Sequence, residues 1–154
     1  MLELITITEV NDALAEMVAL FRVELRSYKG IVSKPNIEAG REEMEEYLSA
    51  KFPAFAALVD GEYAGYVVCR VDSEVVWVES IFVKEEYRRH GIASALHSKA
   101  EEIAASYGDD TVYNYVHPNN NRMIEFLRKR GYTVLNLIEI RKVKNEERRV
   151  KNEE

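Results

Sequence analysis

The chain has 154 residues, 47% hydrophobic and 31% charged, with 7 Gly and 3 Pro. One core at this length buries about 70% of the unfolded chain's surface, and the composition excludes collagen-like, mucin-like and wholly disordered chains. Twenty-one basic residues against 27 acidic ones leave a net charge of −6; this lacks the basic footprint of a nucleic-acid binder and favours cationic partners. The lone cysteine, Cys69, has no partner for an internal disulfide. No Cys/His cluster has ligand spacing, so no metal is expected. Met1 to Glu9 lacks the basic head and apolar run of a signal peptide. No uncharged stretch reaches about 18 residues, so the expectation is a soluble, cytoplasmic chain without a membrane partner.

In chain order, Leu2 to Ile7 reads as a short strand. Asn11 or Asp12 caps a helix to about Tyr28, whose Leu14, Met17, Val18, Phe21 and Leu25 follow the spacing of one buried face. A second helix runs from about Asn36 to Ala50, and Pro53 marks its boundary. Ala54 to Val59 and Tyr63 to Val71 flank Asp60-Gly61, a strong hairpin signal because both positions tolerate positive φ. Val75 to Val83 follows as the third strand of an antiparallel meander. Ile92, Ala95, Leu96, Ala100, Ile103 and Tyr107 then share a helix face, and Gly108 stands where a C-cap belongs. Thr111 to Val116 is a strand, Asn119 to Arg130 a helix with Met123, Phe126 and Leu127 inward, and Tyr132 to about Val143 a last strand. The order is β-α-α-β-β-β-α-β-α-β, a mixed α/β (α+β) fold. The strands at 75–83 and 111–116 should be parallel, because a crossover helix joins them. The domain spans 1–143. The tail 144–154 repeats KNEE and holds four basic, four acidic and one apolar residue, so it is either disordered or a frayed helical extension.

One junction departs from ordinary helix chemistry. A helix N-terminus carries about half a positive charge and several unpaired N–H groups, and sequences usually place Asp, Glu, Ser or Thr there. Here Arg88, Arg89 and His90 stand in front of the helix, with no acid between Tyr87 and Lys99. That arrangement makes sense if an anion normally sits in the loop. Gly91 lets a ligand approach the backbone, and Ala93 keeps the first turn small. The bland reading is two solvated arginines beside a glycine turn. The motifs GxxxxGK[ST] and GxGxxG are absent, which excludes P-loop and Rossmann sites by motif.

The run Arg88-Arg89-His90-Gly91-Ile92-Ala93 resembles [Q/R]-x-x-G-x-[G/A], the pyrophosphate-binding signature of the GNAT superfamily of acetyl-CoA-dependent N-acetyltransferases. The strand Val76 to Val83 is similar to that family's fourth strand. Asn120 to Met123, with Phe126, Gly131 and Tyr132, is similar to its later helix. The resemblance implies a mixed sheet of six or seven strands with flanking helices. It implies that backbone N–H groups from Arg88, Arg89, His90, Gly91, Ile92 and Ala93, with Ser94, hold the coenzyme A pyrophosphate. The pantetheine arm would pair with Ile81, Phe82 and Val83 where the fourth and fifth strands splay. Asn120 would contact the coenzyme. The implied reaction is acetyl transfer from acetyl-CoA to a primary amine acceptor by direct attack in a ternary complex. A polyamine, a peptide N-terminus and a protein lysine all fit.

Glu79 is the candidate base, nine residues before Arg88; the alternative is a solvated strand carboxylate. An ammonium near pKa 10.4 must lose its proton before attack, so the chemistry needs such a group. Many family members place a Tyr acid four residues before the helix-terminal Gly, where this chain has Leu127. Either no donor is needed, since a thiolate of pKa about 8.5 is a tolerable leaving group, or one of Tyr113, Tyr115 and Tyr132 donates, with Tyr115 taken as the catalytic one; the alternative for each is packing or substrate wall. Trp77, on the strand face of Glu79, reads as core before substrate wall. The alternative to an enzyme is a non-catalytic acyl-CoA-binding sensor or scaffold, which Leu127 favours. Glu38, Glu42, Glu43, Glu45 and Glu46 form a solvated helix face or attract a cationic acceptor. His97, His117 and Cys69 read as structural. About a dozen strand-like residues follow Gly131 where the family has a hairpin, which leaves an edge for a homodimer.

Overall fold

A computed structural model describes residues 1–108, 111–135 and 140. They fall into two compact units, Met1–Asn120 and the described part of Asn121–Glu154.

The first unit is a five-stranded sheet in spatial order β1-β2-β3-β4-β5. Its elements are β1 (Leu2–Thr6), α1 (Asp12–Ser27), α2 (Ile37–Ser49), β2 (Ala54–Val59), β3 (Glu62–Asp72), β4 (Val75–Val83), α3 (Ile92–Ser106) and β5 (Val112–Asn114). Asn11 caps α1 by accepting from the Leu14 N–H at 2.9 Å, and Asn36 caps α2 through the Ala39 N–H at 3.1 Å. Between the two expected caps of α1, Asn11 is therefore the one used. The Asp60-Gly61 turn has φ of 50° and 84°, the twist that matches a two-residue hairpin. Ser73 and Glu74 adopt the same left-handed pair, at 49° and 68°. β1 to β4 pair antiparallel and β4 pairs β5 in parallel, as the crossover through α3 requires.

One face of the sheet buries Ala56, Tyr66, Val68 and Phe82 against Leu14, Met17 and Val18 of α1 and Met44 of α2. α3 covers the other face. Its buried residues are Ile92, Leu96, His97, Ala100 and Ala104. The expected stripe is thus rotated: Ala104 and a histidine replace Ile103 and Tyr107, and Tyr107 is 44% exposed. His97 is tolerated because its Nε2 meets Asn114 Oδ1 of β5 at 3.1 Å and its Nδ1 lies 3.5 Å from Glu101. On α1 the buried set gains Ala15 and Ala19, while Leu25 is 38% exposed. Gly40 of α2 explains this, since a Cβ there would lie 2.3 Å from the Ala15 carbonyl oxygen and 2.8 Å from the Ala19 nitrogen.

In the second unit α4 covers Asn121–Lys129, two residues shorter at its start than expected. Leu127 is its buried residue. Gly131 at φ 93° ends the helix, with the Tyr132 N–H donating to the Leu127 carbonyl at 2.9 Å. The sheet has five strands among the described residues, against the six or seven expected. The last expected strand accounts for the difference: 132–135 have no regular structure, and 136–139 and 141–143 lie outside the described residues. The edge proposed for a homodimer and the tail 144–154 lie there too.

The Gly40 contact is backbone to backbone, so a methyl forces the helices apart. Gly40→Ala should cost about 2–3 kcal/mol and lower the melting temperature by roughly 5–10 °C. Gly30→Ala, at φ 80° with nothing within 4 Å of its Cβ, should cost about 1 kcal/mol from conformation alone. Equal melting temperatures for the two variants would contradict the close α1–α2 approach.

Candidate functional site

β4 ends at Val83, a short 3-10 turn covers Glu85–Tyr87, and Arg88 is extended. Arg89 then takes φ 68° and Gly91 φ 76° before α3 begins. Gly91 is the N-cap of α3, and no side chain caps the helix. The first helical bond is Ala95 N–H to Gly91 O, at 3.1 Å, so the N–H groups of Ile92, Ala93 and Ser94 precede the intrahelical ladder. A Cβ built on Gly91 would meet nothing within 4 Å, so the space above this turn is open. Arg89, His90 and Gly91 are exposed. The arrangement is an uncapped helix N-terminus presenting backbone donors to an anion.

Arg88 corrects the expectation of a cation in front of the helix. Its Nε donates to the Val83 carbonyl at 2.9 Å, and its Nη2 to Glu24 Oε1 of α1 at 2.8 Å. It is neither solvated nor held for an anion; it is paired.

Beside the loop runs β4, whose register with β5 covers Val76, Trp77 and Val78 and then stops. The Ile81, Phe82 and Val83 side chains are buried, and their strand edge continues beyond the β5 ladder. β4 also slips against β3: Cys69 faces Val78 and Val68 faces Ser80. Glu79 is therefore the extra residue of a β-bulge, which re-aims its side chain. Its neighbour Ser80 is buried and shares a 2.8 Å hydrogen bond with the Tyr66 hydroxyl. Burial drives the Tyr66 phenol well above its ordinary pKa, with the Ser80 bond opposing, so Tyr66 is no proton source.

The Glu79 carboxylate has 30% side-chain exposure and lies 3.4 Å from Arg70 Nε. Arg70 also pairs with Asp72 and sits 5.3 Å from the Trp77 ring centre. Trp77 is half-buried rather than core, with the rings of Tyr113 and Tyr115 at 4.9 and 4.8 Å. Tyr115 is 67% exposed. Glu79, Arg70 and the three rings thus form one continuous cluster. Asn120 lies in the turn before α4, buried, with its N–H on the His117 carbonyl at 2.9 Å. That turn is tied down: Asn119 Nδ2 donates to the Tyr28 carbonyl at 2.8 Å, and the His117 ring stacks on Tyr28. The His117 Nδ1 accepts from the Asn119 N–H at 3.0 Å.

Glu24, Arg70 and the Tyr66–Ser80 pair were not singled out in the sequence. The bulge leaves one trace there. Val76 and Val78 pair across from Val71 and Cys69, while Ile81 and Val83 pair across from Val67 and Gly65. All four share one face, so the apolar alternation steps by three between 78 and 81. On α2, Glu43 accepts from Arg22 and from the Tyr47 hydroxyl, both at 2.6 Å. Glu42, Glu45 and Glu46 border a shallow depression. Among the described residues no group of three His, Cys, Asp or Glu side chains could hold a metal, and no helix is long and apolar enough to cross a membrane.

Cys69 is fully buried, and desolvation pushes its thiol up to about 12. It is not a nucleophile at neutral pH. Native protein at pH 8 should resist alkylation at Cys69, and denatured protein should react at once. Because the folded thiol titrates above its ordinary value of 9.0, the stability it contributes is present below pH 9 and lost as pH rises toward 12. Rapid alkylation of the native chain would contradict this burial.

Comparison with known proteins bears on the whole arrangement. The acetyltransferase (GNAT) family profile matches residues 17–132. An uncharacterized N-acetyltransferase of Methanocaldococcus jannaschii is 33% identical over 85 residues, 51% of this chain and 38% of that protein. An N-alpha-acetyltransferase of Sulfurisphaera tokodaii is 32% identical over 108 residues, 59% of this chain and 60% of that protein. The aligned part therefore spans less than two thirds of either curated relative. The PaiA N-acetyltransferase of Thermoplasma acidophilum, solved in complex with coenzyme A, superposes with a TM-score of 0.68 at 19% identity, over 84% of this chain and 88% of that one; this likeness is one of fold. A family match across most of the chain, on a sheet of this topology, makes this protein a member of the GNAT acetyltransferase family.

Proposed function

We propose that this chain is an N-acetyltransferase that moves the acetyl group of acetyl-CoA to a primary amine. The observation that carries the reading is the open edge of β4 beyond Val78, running into the uncapped N-terminus of α3. A strand edge offers backbone partners to the pantetheine amides, and an uncapped helix offers N–H groups and a positive dipole end to a pyrophosphate. The backbone from Arg89 to Ser94 holds the pyrophosphate, since the Arg88 N–H is already donated to the Glu85 carbonyl at 3.2 Å; Ile81 to Val83 hold the pantetheine arm, and Asn120 contacts the coenzyme.

Glu79 takes the proton of the acceptor ammonium, directly or through one water. The amine nitrogen then attacks the thioester carbonyl. Backbone N–H groups along Ile81 to Val83 stabilise the oxyanion as the tetrahedral intermediate forms. The attacking nitrogen gives up its second proton to water, the C–S bond breaks, and coenzyme A leaves as a thiolate. With a thiol pKa of about 8.5, that leaving group departs without full protonation. Leu127 cannot donate, so the proton comes from solvent or from Tyr115, which is exposed and stacks on the Trp77 ring at 4.8 Å. The acceptor is a small amine or polyamine, a peptide N-terminus or a protein lysine. The Sulfurisphaera relative, named an N-alpha-acetyltransferase, adds weight to the peptide N-terminus. Leu127 also supports a second reading, a non-catalytic acyl-CoA-binding module.

Calorimetry with acetyl-CoA separates these readings from their failure. Wild type should bind at micromolar levels. Gly91→Asp, which puts a side chain and a negative charge at φ 76°, should abolish binding. With an amine pool as acceptor, Glu79→Gln should lower turnover roughly 10²–10⁴-fold with acetyl-CoA affinity near normal. Well-folded wild type that binds no acetyl-CoA would end the reading; binding without any transfer or thioester hydrolysis would favour the module.

A further inference from the structure

Arg88 opens the loop assigned above to the coenzyme, yet its side chain is engaged with protein groups. The guanidinium bonds to the Val83 carbonyl and to Glu24 Oε1, and its central carbon lies 5.6 Å from the Phe82 ring centre. Arg88 has 19% side-chain exposure and Glu24 22%, so solvent screens this pair far less than a surface one. Three elements meet at one planar group: the end of β4, the loop, and α1. α1 is itself held to α2 by Arg22 and Glu43, at 2.6 Å. The Glu24 carboxylate is thus presented by a helix fixed on its far side.

The loop needs such an anchor. Arg89 and Gly91 both have left-handed φ, and Arg89 has no conformational preference for that region. A fan of N–H groups binds an anion well only if the groups already point together, because ordering them on binding costs affinity. We infer that Glu24 is a positioning residue for the coenzyme loop: through Arg88 it holds the loop in the conformation that presents the N–H groups of residues 89–94. The inference rests on the proposed coenzyme site. Arginine suits the role because its rigid fork makes two bonds in different directions, which a lysine ammonium on a flexible stem does not fix.

The test is calorimetry of the full chain with coenzyme A, below the thermal transition. Glu24→Gln keeps the size and loses the charge; Arg88→Lys keeps the charge and loses the fork. Each should weaken coenzyme A binding about tenfold, the loss expected for a charge-assisted hydrogen bond. The double variant should bind within about twofold of the weaker single one, since both remove the same linkage. If Glu24→Gln fails to fold, Arg88→Lys still reads the linkage. A lowered melting temperature with unchanged coenzyme A affinity would make the pair merely structural and overturn the inference, as would additive losses in the double variant. Failure of wild type to bind coenzyme A would instead remove the site itself, and the positioning role with it.

Discussion

Between the Val68–Ser80 and Cys69–Val78 pairs, β4 carries one residue more than β3, and that residue is Glu79. A strand alternates its side chains with period two, so one inserted residue reverses every face beyond it. Without the insertion, Ile81 and Val83 would turn away from α3 and toward the face that holds Tyr66. With it, they stay under α3, Phe82 fills the Tyr66 side, and Ser80 meets the Tyr66 hydroxyl. The same residue marks where β4 parts from β5, whose register ends at Val78. The open edge, the re-aimed carboxylate and the closed core are consequences of one count.

The electrostatics of the α3 end follow a division of labour. Arg88 is neutralised by Glu24 and turned to bracing, while Arg89 and His90 remain exposed. In the proposed coenzyme site the anion is therefore held by backbone dipoles, with the exposed cations raising the local potential. Placing Arg89 at φ 68° costs about 1 kcal/mol, a strain that surrounding contacts must maintain. Such strain is expected where the loop conformation serves a ligand rather than the chain alone.

Most of the fold was legible because its signals are local. Asn11 and Asn36 cap helices, and Asp60-Gly61 turns a hairpin, for reasons contained within four residues. What escaped depends on distant partners. The α3 stripe rotated because Asn114, on a strand 17 residues away, satisfies His97. Gly40 reads as a weak helix residue until Ala15 and Ala19 of α1 are set against it. In the proposed site, Arg88 to Ala93 and Glu79 were singled out by motif and spacing. Arg70 and Glu24 were not, since a lone charged residue carries no pattern until the fold supplies its counter-ion.

That counter-ion pattern bears on the acceptor. Arg70 contributes one positive charge, and Asp72 and Glu79 contribute two negative ones. Among the described residues the cluster is short of one cation, and it lies along the aromatic face of Trp77, Tyr113 and Tyr115. Under the proposed reading a primary ammonium supplies the missing charge, and an aromatic wall accepts both its charge and its carbon stem. In the proposed reaction the charge must then leave, because only the neutral amine attacks. Transfer of the ammonium proton to Glu79 removes one positive and one negative charge together and leaves the cluster's net charge unchanged. A partly exposed carboxylate, beside an arginine already engaged by Asp72, can make that exchange and return the proton to water once the C–S bond has broken.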